Sequence, residues 1–167
     1  MAEYTSRSFD LLTLGQLLLR LSPPDNDRLS RGDTFVKQVG GAELNVAVGA
    51  SLLGLRTGVI SKLPSHDIGS FMKGKIRSFG VSDDFFMYDD SPSARVGIYY
   101  YENGAYPRKP KVIYDRMNSS FFSLNIDEIP KEVYTASKCF HTTGITLALS
   151  PQIRETTIEM IKRFKAQ

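Results

Sequence analysis

The first strong pattern along the chain is an apolar run from Phe9 to Leu14, closed by Gly15, as expected of a strand covered on both faces. Leu17 to Leu21 continues extended until Ser22-Pro23-Pro24-Asp25-Asn26-Asp27 forces a turn. Thr34 to Val39 then alternates polar and apolar residues, the signature of a half-exposed strand. These two short pieces predict a hairpin off the main sheet. After Gly40-Gly41 a helical pattern begins, with small residues (Ala42, Ala47, Gly49, Ala50) among Leu44, Val48 and Leu52, and Gly54 as its stop. Thr57 to Ser61 is the next strand. Asp67 is placed to cap a second helix, with Ile68, Phe71, Met72, Lys75, Ile76 and Phe79 at helical spacing and Gly80 at its end. Asp84 to Tyr88 follows as a short strand.

The pattern then changes. Arg95 to Tyr101 and Lys111 to Asp115 read as two aromatic, one-sided strands joined through residues 102–107, a second hairpin. Together the hairpins predict a small sheet over the Gly-Gly corner, in the manner of a lid. Asn125 to Ala136 is expected as a short helix, with Pro130 positioned to start or split it. Cys139 to Thr142 is a strand, and Ser150-Pro151 opens a last helix whose face carries Ile153, Thr157, Ile158, Ile161 and Phe164. Strands alternating with helices point to a parallel α/β sheet with right-handed crossovers. A parallel sheet that stops on a helix reads as unfinished.

The corner at Gly40-Gly41 is where the chemistry concentrates. Glycine permits a sharp turn and close approach of a ligand. The following helix offers unpaired N–H groups at the positive end of its dipole, and Asn45 offers a donor and an acceptor. That combination suits hydroxyl- or carboxylate-bearing ligands; a plain strand-to-helix turn with Asn45 as a local cap fits the same residues.

Composition narrows the classes. At 167 residues the chain fits one domain with a real core, and 41% hydrophobic and 23% charged residues are ordinary for a globular protein. The net charge of +3 is spread without blocks of like sign, which argues against a nucleic-acid or anionic-membrane partner. The single cysteine, Cys139, excludes an internal disulfide framework and is expected as a buried strand residue. His141 is read as a satisfied strand-end residue rather than a base. Glu3 and Asp10 near the start are unlike a signal peptide, and no run is long enough to span a membrane, so a cytoplasmic protein is expected.

Several motifs in order carry a family resemblance. Gly40-Gly41-Ala42-Glu43-Leu44-Asn45-Val46-Ala47, Leu53-Gly54, Asp67-Ile68-Gly69 and Phe79-Gly80-Val81 resemble the N-terminal signature of the ribokinase-like (PfkB-type) sugar kinases. Glu43 replaces that signature's usual proline, as in the 2-keto-3-deoxygluconate kinase branch. Gly15-Gln16-Leu17-Leu18, Tyr99, Tyr114-Asp115-Arg116 and Gly144-Ile145-Thr146-Leu147-Ala148-Leu149-Ser150 are similar to that branch too. The resemblance implies a doubly wound, mainly parallel α/β domain with a small β-sheet lid, over residues 17–39 and 95–115, that also serves as a dimer interface. On this basis residues 1–167 form a single, incomplete ribokinase-like domain, truncated after its N-terminal half.

The resemblance also implies transfer of the γ-phosphoryl of ATP, with Mg²⁺, to the terminal hydroxyl of a sugar or sugar acid, 2-keto-3-deoxygluconate being favoured. Gly40, Gly41 and Asn45 would hold sugar oxygens. Tyr99, Tyr114 and Arg116 would come from the lid, with Arg116 on a substrate carboxylate, and Ile145 would line the wall. From the residues alone, Arg116 also fits a solvated strand-end charge, and the tyrosines fit hairpin packing. Gln16 stands where related sequences carry Glu, which alters a polar contact near the substrate. The family's general base lies in a Gly-Ala-Gly-Asp motif that this chain lacks; its only Gly-Asp is Gly32-Asp33. The chain alone is therefore expected to bind neither ATP nor metal and to be inactive. The alternatives are a ribokinase- or fructokinase-type enzyme, or a non-catalytic sugar-binding or dimerisation module whose Val96 to Tyr101 strand pairs with a second copy.

Overall fold

Parallel pairing around β1 (Phe9–Leu14) organises the molecule in a computed structural model that describes residues 7–167; Glu3 lies outside them. β1 pairs with β4 (Thr57–Pro64) on one side and β9 (Ser137–His141) on the other. β5 (Val81–Ser82) and β6 (Phe86–Asp89) both run parallel to β4, at its two ends. Successive strand residues point to opposite faces, so β1 and β4 divide the core in two. Leu12, Leu14 and Ile60 meet Phe121, Leu124, Val133, Ile153 and Met160 on one face. Val59 and Leu63 meet Leu44, Ala47, Met72 and Ile76 on the other. The second face is covered by α1 (Ala42–Leu52) and α2 (Asp67–Arg77), the first by α4 (Pro151–Lys165) and three 3₁₀ turns. Each fully buried aliphatic side chain contributes about 1.5–3 kcal/mol, so the sandwich carries most of the stability.

Several local expectations are corrected. Asn125 to Ala136 is two 3₁₀ turns, Ile126–Glu128 and Lys131–Tyr134. Asn125 caps the first while Glu128 reaches back to the Asn125 amide, and Ile129 is held extended by the ring of Pro130. The cap of α2 is His66, whose Nδ1 accepts from the Ile68 amide at 3.2 Å; Asp67 is the first helical residue. The strand expected at Asp84 to Tyr88 is shifted to β6. A turn at Asp83 separates β6 from β5, and its buried carboxylate meets Arg77 at 2.5 Å and Lys73 at 3.2 Å. Burial works to raise that carboxyl, but the two cations outweigh it and hold it below the ordinary range.

In α4, Ser150 caps the start as expected, but Ile158 is 42% exposed. The buried stripe is Ile153, Thr156, Thr157 and Met160, the i, i+3, i+4, i+7 positions of a 3.6-residue period. Cys139 is exposed rather than buried; it lies on β9, the last strand in the sheet order among the described residues. His141 is not satisfied: its Nε2 is buried with no partner among the described residues.

The two hairpins join into one four-stranded sheet, β3 (Val36–Gly40), β2 (Leu18–Ser22), β7 (Gly97–Glu102) and β8 (Lys111–Asp115) in that spatial order. β2 and β7 pair parallel, so β7 has neighbours on both sides and the expected edge pairing through Val96 to Tyr101 is closed off. Among the described residues, β3 and β8 are the edges of this sheet. One face of this sheet sends Leu19, Val39 and Ile98 into the α2 side of the core. The opposite face carries Leu18, Arg20, Tyr99, Tyr101, Val112 and Tyr114 toward the start of α1. Among the described residues no helix is long and apolar enough to cross a membrane.

Candidate functional site

The diglycine is needed twice over. Gly41 adopts φ +147°, and a Cβ there would sit 2.8 Å from the Gln16 carbonyl oxygen. A Cβ on Gly40 would meet the Tyr99 hydroxyl at 2.6 Å, so its bare backbone admits that ring. Gly41 is the N-cap of α1 and no side chain caps the helix, so its first N–H groups stay available. Asn45 is not a cap; it is exposed one turn along. Gly41→Ala is expected to lower the unfolding free energy by about 1–3 kcal/mol, read as a reduced midpoint in urea. An unchanged midpoint would show that the corner relaxes freely.

A cavity of about 350 Å³ lies between this corner and the second sheet. That is room for a small polar ligand rather than a macromolecule. Gly41 and Asn45 line it from the corner, Tyr99, Tyr114 and Arg116 from the sheet, and Ile145 from α3 (Gly144–Leu147). Six of the seven residues singled out in the sequence thus share one cavity, and Gly40 lies behind Tyr99. Tyr99 and Tyr114 are cross-strand partners with ring centroids 5.9 Å apart. Burial pushes the Tyr99 phenol up, so it stays a neutral donor and acceptor. Arg20 lies 4.4 Å over the Tyr101 ring and donates to Ser22.

Arg116 is half-buried just beyond β8, and burial disfavours its charge without discharging a guanidinium. Its Nε donates to Gln16 Oε1 at 2.8 Å, and it lies 5.7 Å over the Tyr114 ring. Among the described residues no carboxylate forms an ion pair with it.

Glu43 is the residue that sequence reasoning missed as part of the site. It is 2% exposed and lines the cavity from the first turn of α1. Its Oε1 accepts from the Thr143 amide at 3.2 Å, the Thr143 hydroxyl at 2.5 Å and the Thr146 hydroxyl at 2.7 Å. This bond set ties the diglycine corner to the turn that presents Ile145, and Gly15 leaves the space the carboxylate fills. A carboxylate in the first turn also suits the helix dipole. The sequence signal was an acid two residues after a diglycine, but nothing local names its partners. Among the described residues no group of three or more His, Cys, Asp or Glu side chains could hold a metal ion.

The family model for the pfkB family carbohydrate kinases matches residues 8–167. The chain is 39% identical over 153 residues to a 2-dehydro-3-deoxygalactonokinase of Haloferax volcanii, covering 92% of this chain and 47% of that protein. The structure of a 2-dehydro-3-deoxygluconokinase from Thermotoga maritima matches with a TM-score of 0.88 at 33% identity, over 95% of this chain and 48% of that one. A sugar kinase from Pyrococcus horikoshii in complex with ATP matches with a TM-score of 0.80 at 25% identity, over 93% and 49%. The fold is the one those structures share, a mainly parallel sheet with a second small sheet. The chain spans about half the length of the curated relatives it matches.

Proposed function

The chain belongs to the pfkB family of carbohydrate kinases, and we propose that its cavity holds the sugar for an ATP-dependent kinase acting on an acidic keto-sugar, 2-keto-3-deoxygluconate. The observation that carries this reading is Arg116. Its half-buried guanidinium, without an ion-pair partner among the described residues, faces a cavity lined also by Arg20, Glu43, Asn45, three tyrosines and the start of α1. A guanidinium fork matches a carboxylate bidentately, which a neutral hexose does not offer.

In this reading the amides at Gly41 and the side chain of Asn45 hold sugar hydroxyls, Tyr99 and Tyr114 hydrogen-bond and cover the ring, and Ile145 closes the wall. Gly40 lets Tyr99 reach that position. The second sheet acts as the lid, and any pairing of two copies uses β3 or β8. Phosphoryl transfer depends on positioning and on neutralising charge across the phosphate oxygens. The residues here supply the first of these, fixing which hydroxyl points out of the cavity and excluding water around it. The general base and the nucleotide pocket have no counterpart in the sequence of residues 1–167, which form the sugar-holding part of the domain.

Titration calorimetry of this chain with 2-keto-3-deoxygluconate tests the proposal, alongside a coupled ADP-release assay with ATP and Mg²⁺. Saturable binding without ADP release is expected. No binding would overturn the sugar assignment, and turnover would overturn the division of labour.

A further inference from the structure

Two guanidinium groups line the cavity, and the function proposed above uses only that of Arg116. Arg20 stands on β2 opposite Tyr99, which stands opposite Tyr114, so the three side chains share one face of the second sheet. Its Nε donates to Ser22 Oγ at 2.9 Å, and its guanidinium lies 4.4 Å over the Tyr101 ring. Ser22 is buried, so the stem is anchored. β2 starts at Leu18 beside Gly40 and ends at Ser22 beside Val36. The head of Arg20 is therefore turned away from the diglycine corner, toward the outer end of the cavity.

Arg116 stands at the inner end. It follows Asp115, which pairs with Ile98 at the start of β7, whereas Tyr101 pairs with Val112 farther along. At roughly 3.3 Å per residue, Ile98 and Tyr101 are about 10 Å apart, so one carboxylate cannot occupy both forks. Among the described residues neither terminal nitrogen of Arg20 has a hydrogen bond, and no carboxylate forms an ion pair with it. The acids of the adjacent strands are committed elsewhere, Asp115 to Arg95 at 2.8 Å and Glu102 to Arg108 at 3.4 Å. The ring of Tyr101 takes only the face of the guanidinium, which leaves the in-plane N–H donors for an anion. The charge also reaches into the cavity: burial raises the Tyr99 phenol, and Arg20 works against that rise.

We propose that Arg20 is the entry group of the cavity, drawing the carboxylate of an acidic sugar to the outer end and passing it to Arg116, which retains it. This inference rests on the reading of the cavity as the site of an acidic keto-sugar. A charge at the rim acts on the association rate and its salt dependence, whereas a charge buried against the ligand acts on the dissociation rate. Attraction at a distance needs a point charge and is screened by salt; retention needs the planar fork.

The test is stopped-flow binding of 2-keto-3-deoxygluconate, followed by tyrosine fluorescence in a chain without tryptophan, at about 20 mM and about 500 mM salt. The unaltered chain is compared with Arg20→Gln, Arg20→Lys and Arg116→Ala, each first shown to be folded by circular dichroism. Arg20→Gln is expected to slow association about threefold at low salt, with the difference gone at high salt and dissociation unchanged. Arg20→Lys should associate like the unaltered chain, and Arg116→Ala should instead speed dissociation. An association rate unaffected by Arg20→Gln overturns the inference and leaves the Arg116 reading in place. So does faster dissociation in Arg20→Gln that Arg20→Lys fails to rescue, because it makes Arg20 a direct contact of the bound sugar. If Arg20→Gln does not fold, the unaltered chain decides: association that slows with salt for the acid but not for fructose supports the inference, and equal behaviour of the two overturns it. No binding by the unaltered chain overturns both readings together.

Discussion

Glu43→Ala should lower the unfolding free energy by about 2–4 kcal/mol, because removing a buried charged acceptor strands the donors that were built around it. Thr146 is only 1% exposed and would lose its partner with no access to water. Thr143 is partly exposed and recovers some of the loss by turning to solvent. The vacated space beside Gly15 adds a cavity cost. Glu43→Gln keeps the shape and one acceptor, and is expected to cost about 1–2 kcal/mol. Urea unfolding followed by far-UV circular dichroism measures both, and a loss below about 1 kcal/mol for the alanine variant would show that the α1-to-α3 tie is not a principal support. Because the same bonds hold the turn bearing Ile145, sugar affinity should fall in parallel.

The second large effect concerns ligand choice. Arg116→Ala is expected to weaken binding of 2-keto-3-deoxygluconate by about 100-fold, the equivalent of roughly 2–3 kcal/mol for a charge-assisted, bidentate contact. Binding of fructose or ribose, which offer no carboxylate, should change by less than about threefold. Arg116→Lys restores charge without the planar fork and should recover only part of the loss. Equal losses on all three sugars would assign Arg116 a structural role and favour a neutral-sugar kinase.

Much of the architecture is written in local patterns. The mainly apolar run at Phe9–Leu14, the helical spacing after Gly41 and the Ser150-Pro151 start are signals of a few neighbouring residues, and each element forms where its pattern lies. The errors came where a long-range partner set the outcome. Asp83 lies between β5 and β6 and pairs with Lys73 and Arg77 on α2, and Cys139 is exposed on β9, the last strand in the sheet order among the described residues.

The cavity divides the same way. The diglycine bend could be read as a candidate from residue type and spacing, since backbone freedom is a local property, whereas Tyr99, Tyr114 and Arg116 were candidates only through the family resemblance. Their convergence was decided in three dimensions, by the parallel pairing of β2 with β7 that turns Tyr99 and Tyr114 toward the start of α1. The contacts of Gln16 and Glu43 were decided there as well. A buried polar side chain takes its meaning from its hydrogen-bond partners, and theirs lie 100 to 103 residues along the chain, beyond the reach of any local pattern.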